Sequence, residues 1–557
     1  MASKQKSVLQ WVRDGSPWVW LNAGAVTISM LMVLGLLIYI MGKGMVHFWP
    51  HDIVDFEYRQ DDGAVVRMIG EVHDHEEVTA ARLRDLGETP PAGVDVVGRH
   101  LIKTGNRDVA GLDFTWVLDY RMGEWHTPHD LVLLERREWG NFYGRVIAIT
   151  EDGHKIAEGE AAWSELQARL QRSGELFSRI RDIERGDIGA INYELERLRL
   201  KQKRLEIDGE LDDAAKQLLD AERSSLDAQY QILIVQLESL YAQLNRDSVV
   251  MQTASGEERS IALGRIVMAA RPNALSLPEK LVFYAKKLWE FVSDEPREAN
   301  TEGGIFPAIF GTVAMVFLMT LLVTPLGVIA AVYLREYASQ GFVTRLVRIS
   351  VNNLAGVPSI VYGVFGLGFF VYFLGGSIDE LFYPESAPAP MFGSPGLLWA
   401  SLTLALLTLP VVIVATEEGL TRIPKALREG SLALGATKAE TLWRVVLPMS
   451  SPAIMTGIIL AIARAAGEVA PLMLVGVVKL APTLPLDANY PFMHLERKFM
   501  HMGFHIYDVG FQSPNVEAAR PLVYATSFLL VLVIGLLNLA AIYIRNRLRE
   551  NTKALEH

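Results

Sequence analysis

Two oppositely charged side chains interrupt a long apolar stretch late in the 557-residue sequence. Arg464 and Glu468 lie within GIILAIARAAGEVAPLMLVGVV, a run long enough to cross a bilayer as a helix. A charge near the bilayer centre costs at least about 2.5–3.5 kcal/mol, so such residues usually face a protein interior or a watery path. A guanidinium group can donate two hydrogen bonds to an oxyanion, so the pair is a candidate functional site within the membrane.

The spacing of this pair leaves two roles open. Residues four apart lie on one face of a helix, so Arg464 and Glu468 either cancel their own charges or form a path. In a path, Arg464 would meet the anion and Glu468 would orient it. Gly467 and Pro471 would let the helix bend or pack closely. Polar residues in other membrane helices more often serve packing. The further candidates for the path are Thr324, Asn352, Asn353 and Ser359.

The overall composition indicates a protein that is partly in the membrane and partly in water. Half of the residues are hydrophobic and 21% are charged. The net charge of −11 argues against a nucleic-acid partner, which would need a basic face. The absence of cysteine excludes disulfides and thiolate metal sites. His494, His501 and His505 could share a helix face, but spacing alone is weak evidence for a metal, and we predict no metal site.

Six segments are apolar and long enough to span the hydrocarbon, which takes about 20 residues. Basic residues cluster before the first segment and after the second, fourth and last segments. If all six segments cross, these clusters lie on one side, which predicts cytoplasmic termini and places residues 42–302 outside the cytoplasm. The predicted spans are 18–41, 306–334, 351–374, 397–415, 454–478 and 522–544.

The long segment between the first two spans changes character along its length. Alternating residues and turn signals predict a small β-rich domain over 42–156. Apolar residues that step by three and four predict a coiled-coil hairpin over 157–250, acting as a spacer or as a docking arm for a partner. In the connector 251–302, Ser276 and Glu279 form a capping box before an amphipathic helix. That helix would lie on the membrane surface or pack against the β-rich domain.

The segment after the fourth span carries a recognisable motif. Residues 429–448, EGSLALGATKAETLWRVVLP, resemble the EAA loop of ABC-importer permeases through Glu429, Gly435, Leu447 and Pro448. Gly435 would permit a sharp turn, and Pro448 would end the second helix as the chain re-enters the membrane. The resemblance implies that this loop couples the chain to an ATPase. GSLALGAT has P-loop glycine spacing, but Ala436 replaces the lysine, so this chain is not expected to bind ATP itself.

Further motifs extend the resemblance over residues 303–549. GGIFPAIFGT, NNLAGVPSIVYGVFGLG, LTLPVVIVATEEGL and ARAAGEVAPLMLVG are similar to segments of the PstA-type permease subunits of bacterial phosphate ABC importers. The resemblance implies a mainly α, polytopic fold of the type I ABC-importer (MetI-like) class, with five spans in the core. The segment 42–302 would be a periplasmic insert beyond the family pattern. The predicted domain organisation also includes a cytoplasmic N-terminus, 1–17, and a C-terminal tail, 550–557.

The same resemblance implies a function and a set of partners. The chain would be a permease subunit of an ATP-driven phosphate importer in the bacterial inner membrane, and not itself an enzyme. The implied partners are a PstC-like second permease, a PstB-like ATPase dimer that binds ATP and Mg, a PstS-like periplasmic phosphate-binding protein and membrane lipid. No cofactor is expected on this chain. The alternatives are an importer for another oxyanion or phosphonate, and a membrane scaffold for phosphate signalling.

Overall fold

Six membrane-length helices organise the protein. The computed structural model describes residues 14–60, 62–91, 93–513 and 516–553, so most of the predicted termini, 1–17 and 550–557, lie outside the described residues. Within the described ranges six helices are long and apolar enough to cross a membrane, which confirms the predicted number. We call them spans 1–6. They are Pro17–Phe48, Phe306–Tyr337, Ser359–Phe382, Leu397–Arg422, Lys438–Ala466 and Ala519–Arg547.

Spans 3 and 5 differ most from their predicted limits. Span 3 begins at Ser359 instead of 351, because residues Phe342–Leu354 form a separate amphipathic helix and Pro358 precedes the span. Proline disfavours the helical conformation of the residue before it, so the prediction of one continuous helix from 351 was wrong. Span 5 was predicted to continue to 478, but its helix ends at Ala466.

Small residues allow the spans of the core to pack closely. Span 4 lies between spans 2 and 5, span 6 packs on span 5, and span 1 packs on span 6. A Cβ added at Gly327 of span 2 would lie 2.6 Å from Val412 of span 4, and one at Gly457 of span 5 would lie 2.7 Å from Ala415. In lipid, where apolar burial contributes little between helices, such close backbone approach is a main source of packing energy.

The segment between spans 1 and 2, residues 49–305, is called the insert. Its described part contains two larger antiparallel sheets and a two-stranded one, in which Pro296–Arg297 pairs with Glu302–Gly303. The first sheet has the order β1-β2-β3-β4, and the second has the order β10-β5-β6-β8-β9 with β7 paired to β6. The strands are β1 Ile53–Arg59, β2 Val65–Thr79, β3 Val96–Lys103, β4 Phe114–Leu118, β5 Leu131–Arg136, β6 Phe142–Glu151, β7 His154–Glu158, β8 Asp247–Gln252, β9 Glu258–Ala262 and β10 Ile266–Ala270.

The second sheet is built from two distant parts of the chain. β8 pairs with β6, so that Val249 faces Ile149, and β10 pairs with β5. Both Val249 and Ile149 are fully buried in the core between the sheet and the first helix of the arm. The predicted boundary at 250 was therefore wrong, because β8 crosses it and the three strands after the arm complete the sheet that precedes the arm.

A helical hairpin, which we call the arm, projects from this sheet. It runs outward through helices Glu160–Asp182 and Ile188–Asp208, joined by a π-helical turn, and returns through helix Asp213–Asn245. Gly209 caps the outward helix in the left-handed conformation, with φ 73°. An apolar cluster fills the space between the two limbs near the sheet. Its buried members are Leu176, Ile180, Ile183, Leu237, Leu240 and Leu244.

An ion network within the insert joins strand β5 to the segment that precedes span 2. Glu135 of β5 contacts Lys287, on helix Leu277–Ser293, and Arg297, which lies shortly before span 2. Glu290 also contacts both cations, at 2.9 and 3.1 Å. All four side chains are 12–16% exposed. Burial alone would raise the pKa of Glu135, but Lys287 and Arg297 hold that pKa at about 2.

Removing this carboxylate charge should destabilise the insert. In Glu135→Gln, Lys287 and Arg297 keep Glu290 as their nearest partner, and breaking a buried pair costs on the order of 3 kcal/mol. In thermal unfolding of the detergent-purified chain at neutral pH, we expect the midpoint to fall by about 5–10 °C.

The control and the pH dependence make this test specific. Glu158→Gln, which breaks an exposed pair with Lys155, should change little. The pKa of Glu135 is lowered from 4.5, so its stabilisation is complete above that value and is lost as the pH falls towards 2. An unchanged midpoint for Glu135→Gln at neutral pH would contradict a stabilising role of the network.

Candidate anion path and coupling hairpin

The helix of span 5 is broken within the charged motif, between Arg464 and Glu468. Its last helical residue is Ala466, and a short helix, Leu472–Val475, resumes after Pro471. The backbone N–H of Glu468 still donates to the carbonyl of Ala465 at 3.2 Å. A Cβ at Gly363 of span 3 would lie 2.7 Å from the Cα of Pro471. Span 3 therefore packs directly on the broken backbone, and its glycine permits that contact.

Contacts with span 4 show how deep the break lies. Spans 4 and 5 are antiparallel, with Gly419 against Ala453 and Gly457 against Ala415. Moving four residues forward along span 5 therefore corresponds to moving four residues back along span 4. This register places Arg464 level with position 408, the middle of the helix Leu397–Arg422. The motif thus lies near mid-depth of the spans, where an uncompensated charge is most costly.

Arg464 and Glu468 face each other across this break. The distance between Arg464 Nε and Glu468 Oε1 is 3.9 Å, and the two side chains are 32% and 22% exposed. The two side chains are close, as predicted. They do not share one helix face, because Glu468 lies past the end of the helix. At 3.9 Å the pair is loose, and the guanidinium group retains donors for a further acceptor.

The other predicted path residues are placed less favourably. Asn352 and Asn353 are exposed on helix Phe342–Leu354, before span 3, and Asn352 lines a cleft of about 390 Å³ with Glu417 and Arg422 at the end of span 4. Thr324 donates its hydroxyl to the carbonyl of Thr320 at 2.7 Å, a bond within span 2. Ser359 is half-buried at the first residue of span 3.

The EAA-like motif forms a helical hairpin between spans 4 and 5, which we call the coupling hairpin. Helix Lys425–Ala433 is followed by Gly435, with φ 88°, and then by helix Lys438–Thr441. Gly435 has a conformation that side-chain-bearing residues rarely adopt, and no atom would touch a Cβ placed there. Thr437 and Glu440 form a capping box that starts the second helix.

The prediction that Pro448 ends a helix was wrong. The helix of the coupling hairpin runs on from Lys438 into span 5 as one helical segment. A π-helical turn, Leu442–Val446, directly precedes Leu447 and Pro448. Such a turn accommodates the missing proline N–H and the bulk of its ring. The second helix of the hairpin is therefore a rigid extension of span 5.

Cationic side chains fix the coupling hairpin to the ends of spans 2 and 4. Arg428 pairs with Glu336 at 3.0 Å and donates to the carbonyl of Leu420 at 2.6 Å. Lys438 donates to the carbonyl of Glu336 and lies over the ring of Tyr337. These contacts satisfy carbonyl groups at helix C-termini, where positive charge is favourable. The hairpin is thereby held in a fixed position relative to the spans.

The sequence analysis missed the apolar surface of this hairpin. Leu434 is 91% exposed and Trp443 is 74% exposed, on opposite limbs of the hairpin. Glu429 is exposed as well. Large apolar side chains exposed together on a fixed element indicate a contact surface for another protein. Their position in a short polar loop could have signalled this role, because neither residue has a core to enter.

The arm lies against two loops of the core on the side of the insert. Arg204 pairs with Glu385 at 3.2 Å, in the loop between spans 3 and 4. Tyr193 donates its hydroxyl to the carbonyl of Tyr490, in the loop after span 5. In that second loop, Asp487 accepts from Arg497 at 2.6 Å and contacts His494 at 2.9 Å. The arm therefore contacts both loops.

The three histidines after span 5 do not share a helix face. His494 belongs to the loop, His501 caps the short helix Met502–Tyr507, and His505 lies within it. Burial lowers the pKa of both His501 and His505 to about 4. Across the described ranges, no group of three or more His, Asp or Glu residues is arranged to hold a metal.

Comparisons with known proteins assign the core to a family. Residues 323–550 match the family described as "Binding-protein-dependent transport system inner membrane component". "Phosphate transport system permease protein PstA 1" of Mycobacterium tuberculosis is 37% identical over 245 residues, which are 44% of this chain and 71% of that protein. "Probable ABC transporter permease protein YqgI" of Bacillus subtilis is 31% identical over 260 residues, covering 45% and 81%.

Solved structures are more distant. A chain of the inward-facing MetNI methionine ABC transporter is 19% identical, with a TM-score of 0.33, and the match covers 49% of this chain and 99% of that chain. A bacterial ABC transporter for alginate is 15% identical, with a TM-score of 0.31, covering 43% and 78%. From the family match and the sequence relatives, the chain belongs to the family of binding-protein-dependent transport system inner membrane components, where its relatives include PstA-type permeases.

Proposed function

We propose that this chain is the PstA-like permease subunit of an ATP-driven phosphate importer. The observation that carries the proposal is the loose Arg464–Glu468 pair, 3.9 Å apart at the break of span 5. The register with span 4 supports a position near mid-depth. A guanidinium group there can bind an oxyanion through two hydrogen bonds, and the names of the relatives specify phosphate.

The carboxylate beside the arginine suits transport better than storage. A path must attract the anion but also release it. Glu468 competes with the anion for Arg464 and also repels the anion. Arg464 would therefore pair alternately with Glu468 and with the transported anion. Both side chains are partly exposed, which leaves room for a phosphate ion beside them. We place this ion in a path that the chain shares with a PstC-like second permease. Such a site would capture phosphate only weakly.

The coupling hairpin supplies the link to ATP. We assign its exposed surface, with Glu429, Leu434 and Trp443, to a PstB-like ATPase subunit that binds ATP and Mg. Leu447 and Pro448 follow without a break into span 5, so a displacement of the hairpin moves the helix that carries Arg464. The ATPase dimer would thereby switch the path between its two openings. A PstS-like binding protein would deliver phosphate on the side of the insert, which we place in the periplasm.

The path proposal predicts that Arg464 cannot be replaced by a neutral residue. Hydrogen bonds to charged groups contribute about 1.5–3 kcal/mol, so Arg464→Met should lower phosphate uptake at least about tenfold. Glu468→Gln should lower the KM and also the maximal rate, because release becomes slower. Uptake by cells or vesicles, normalised to the assembled complex, measures both.

A double variant separates the path from mutual charge cancellation. Arg464→Met combined with Glu468→Met removes both charges, so a pair that only cancels itself becomes dispensable. We expect this variant to assemble and to remain inactive. Arg422→Met, which removes an arginine that is 79% exposed and 3.7 Å from Glu418, should transport normally. Normal uptake by the double variant would contradict the path proposal.

The coupling proposal predicts a specific effect at the turn of the hairpin. Gly435→Val forces a β-branched side chain into a positive φ, which distorts the turn. We expect the ATPase subunit to copurify poorly and uptake to be lost. Gly430→Ala is the matched control, since Gly430 lies in the preceding helix and a Cβ there meets no atom. A Gly435→Val complex that retains its ATPase and transports normally would contradict the assignment.

A shortened arm distinguishes a transporter from a signalling scaffold. Ile188 and Leu233 pack on the same apolar cluster at the base of the arm, so a short Gly-Ser linker can replace residues 189–232. A transporter should keep most of its phosphate uptake, whereas a scaffold that acts through the arm would lose its activity. Copurification with the ATPase reports assembly. Loss of uptake by an assembled complex would show that the arm is essential and would count against the core alone as transporter.

A further inference from the structure

The helix Leu277–Ser293 has two apolar faces, and only one of them is covered by protein. Tyr284, Leu288 and Phe291 pack against a cluster that includes Phe48 at the end of span 1 and Ile305 before span 2. Two polar side chains of this helix are also engaged on the protein side, since Lys287 and Glu290 belong to the ion network with Glu135 and Arg297. The covered face therefore fixes the rotation of the helix.

The opposite face is apolar and open. Val282 is 70% exposed and Trp289 is 72% exposed, although both are large hydrophobic residues. Soluble surfaces rarely display a continuous apolar stripe of this kind. Tryptophan is enriched where a protein meets the headgroup region of a bilayer. The exposed apolar members of the stripe are Leu277, Leu281, Val282, Trp289 and Val292.

Direct contacts hold this helix at the level where two spans leave the membrane. The N–H of Ile305 donates to the carbonyl of Phe291 at 2.8 Å, and the N–H of Phe306, the first residue of span 2, donates to Asp294 at 3.0 Å. The rings of Phe48, the last residue of span 1, and Phe291 are 4.9 Å apart. The helix thus abuts the ends of spans 1 and 2 on the insert side of the bilayer.

We propose that helix Leu277–Ser293 lies in the membrane interface, with its open apolar face in the boundary between headgroups and acyl chains. The partner is the lipid surface itself. The helix directly contacts the ends of spans 1 and 2. At this level, an apolar face that no protein covers is in contact with lipid. Interfacial helices bury their apolar face by about 5–10 Å.

This placement gives the helix a mechanical role. It is joined to β5 through Glu135 and to span 2 through the bonds from Ile305 and Phe306. A helix that lies in the membrane interface therefore sets the tilt of the insert relative to the membrane. The arm, which extends from the same sheet, is then held over the loops of the core in a defined orientation.

The absence of cysteine permits a direct test with one label per molecule. Val282→Cys carries an environment-sensitive fluorophore, and the complex is reconstituted into vesicles with lipids that bear a quencher near the headgroup or deep in the chain. Leu321→Cys, 61% exposed on span 2, is the lipid-facing control, and Leu218→Cys, 73% exposed on the arm, is the aqueous control. All three positions are exposed, so the labels should not disturb folding.

The expected result is a difference in quenching depth. The label at 282 should lose most of its fluorescence to the headgroup quencher, the label at 321 to the deep quencher, and the label at 218 to neither. Quenching at 282 no greater than at 218 would overturn the proposal. So would a label at 282 that is shielded from lipid quenchers and from aqueous iodide, because that result would mean that a protein subunit covers this face.

Discussion

The hydrocarbon core offers no partner for a free charge or an open peptide group. The structure depends on this constraint at the break of span 5, where a helix end and two charged side chains coincide near mid-depth. Arg464 and Glu468 partly satisfy each other, and span 3 closes over Pro471 through Gly363. Arg464 and Glu468 keep 32% and 22% of their side-chain surface exposed, so the break leaves polar surface uncovered near mid-depth.

The same reasoning joins the two ends of the core. On the hairpin side, Arg428 and Lys438 cap helix ends and fix the coupling hairpin to spans 2 and 4. The π-helical turn before Pro448 keeps the hairpin continuous with span 5. Under the proposed coupling, a displacement of the hairpin would be passed along the continuous helical segment from Lys438 to Arg464. On the insert side, the arm bridges two loops, and helix Leu277–Ser293 anchors the insert beside spans 1 and 2.

Local patterns in the sequence predicted the parts that local physics decides. Length and apolarity gave six spans, and the spacing of Gly435 gave the turn of the hairpin. Non-local features were beyond reach: the strands after the arm complete a sheet only because β8 pairs with β6 across the whole arm. The start of span 3 was misplaced because helix Phe342–Leu354 is also apolar on one face. The meeting of Arg464 and Glu468 was foreseen, but Asn352 proved to line a different cleft.

The central claim is that an oxyanion of defined identity passes the arginine at the break while a separate ATPase drives the movement. The most direct measurement is ATP hydrolysis by the reconstituted complex, with the binding protein loaded in turn with phosphate, sulfate or a phosphonate. The account predicts that phosphate stimulates hydrolysis and that sulfate and phosphonate do not. Equal stimulation by sulfate or phosphonate, or none by phosphate, would contradict it.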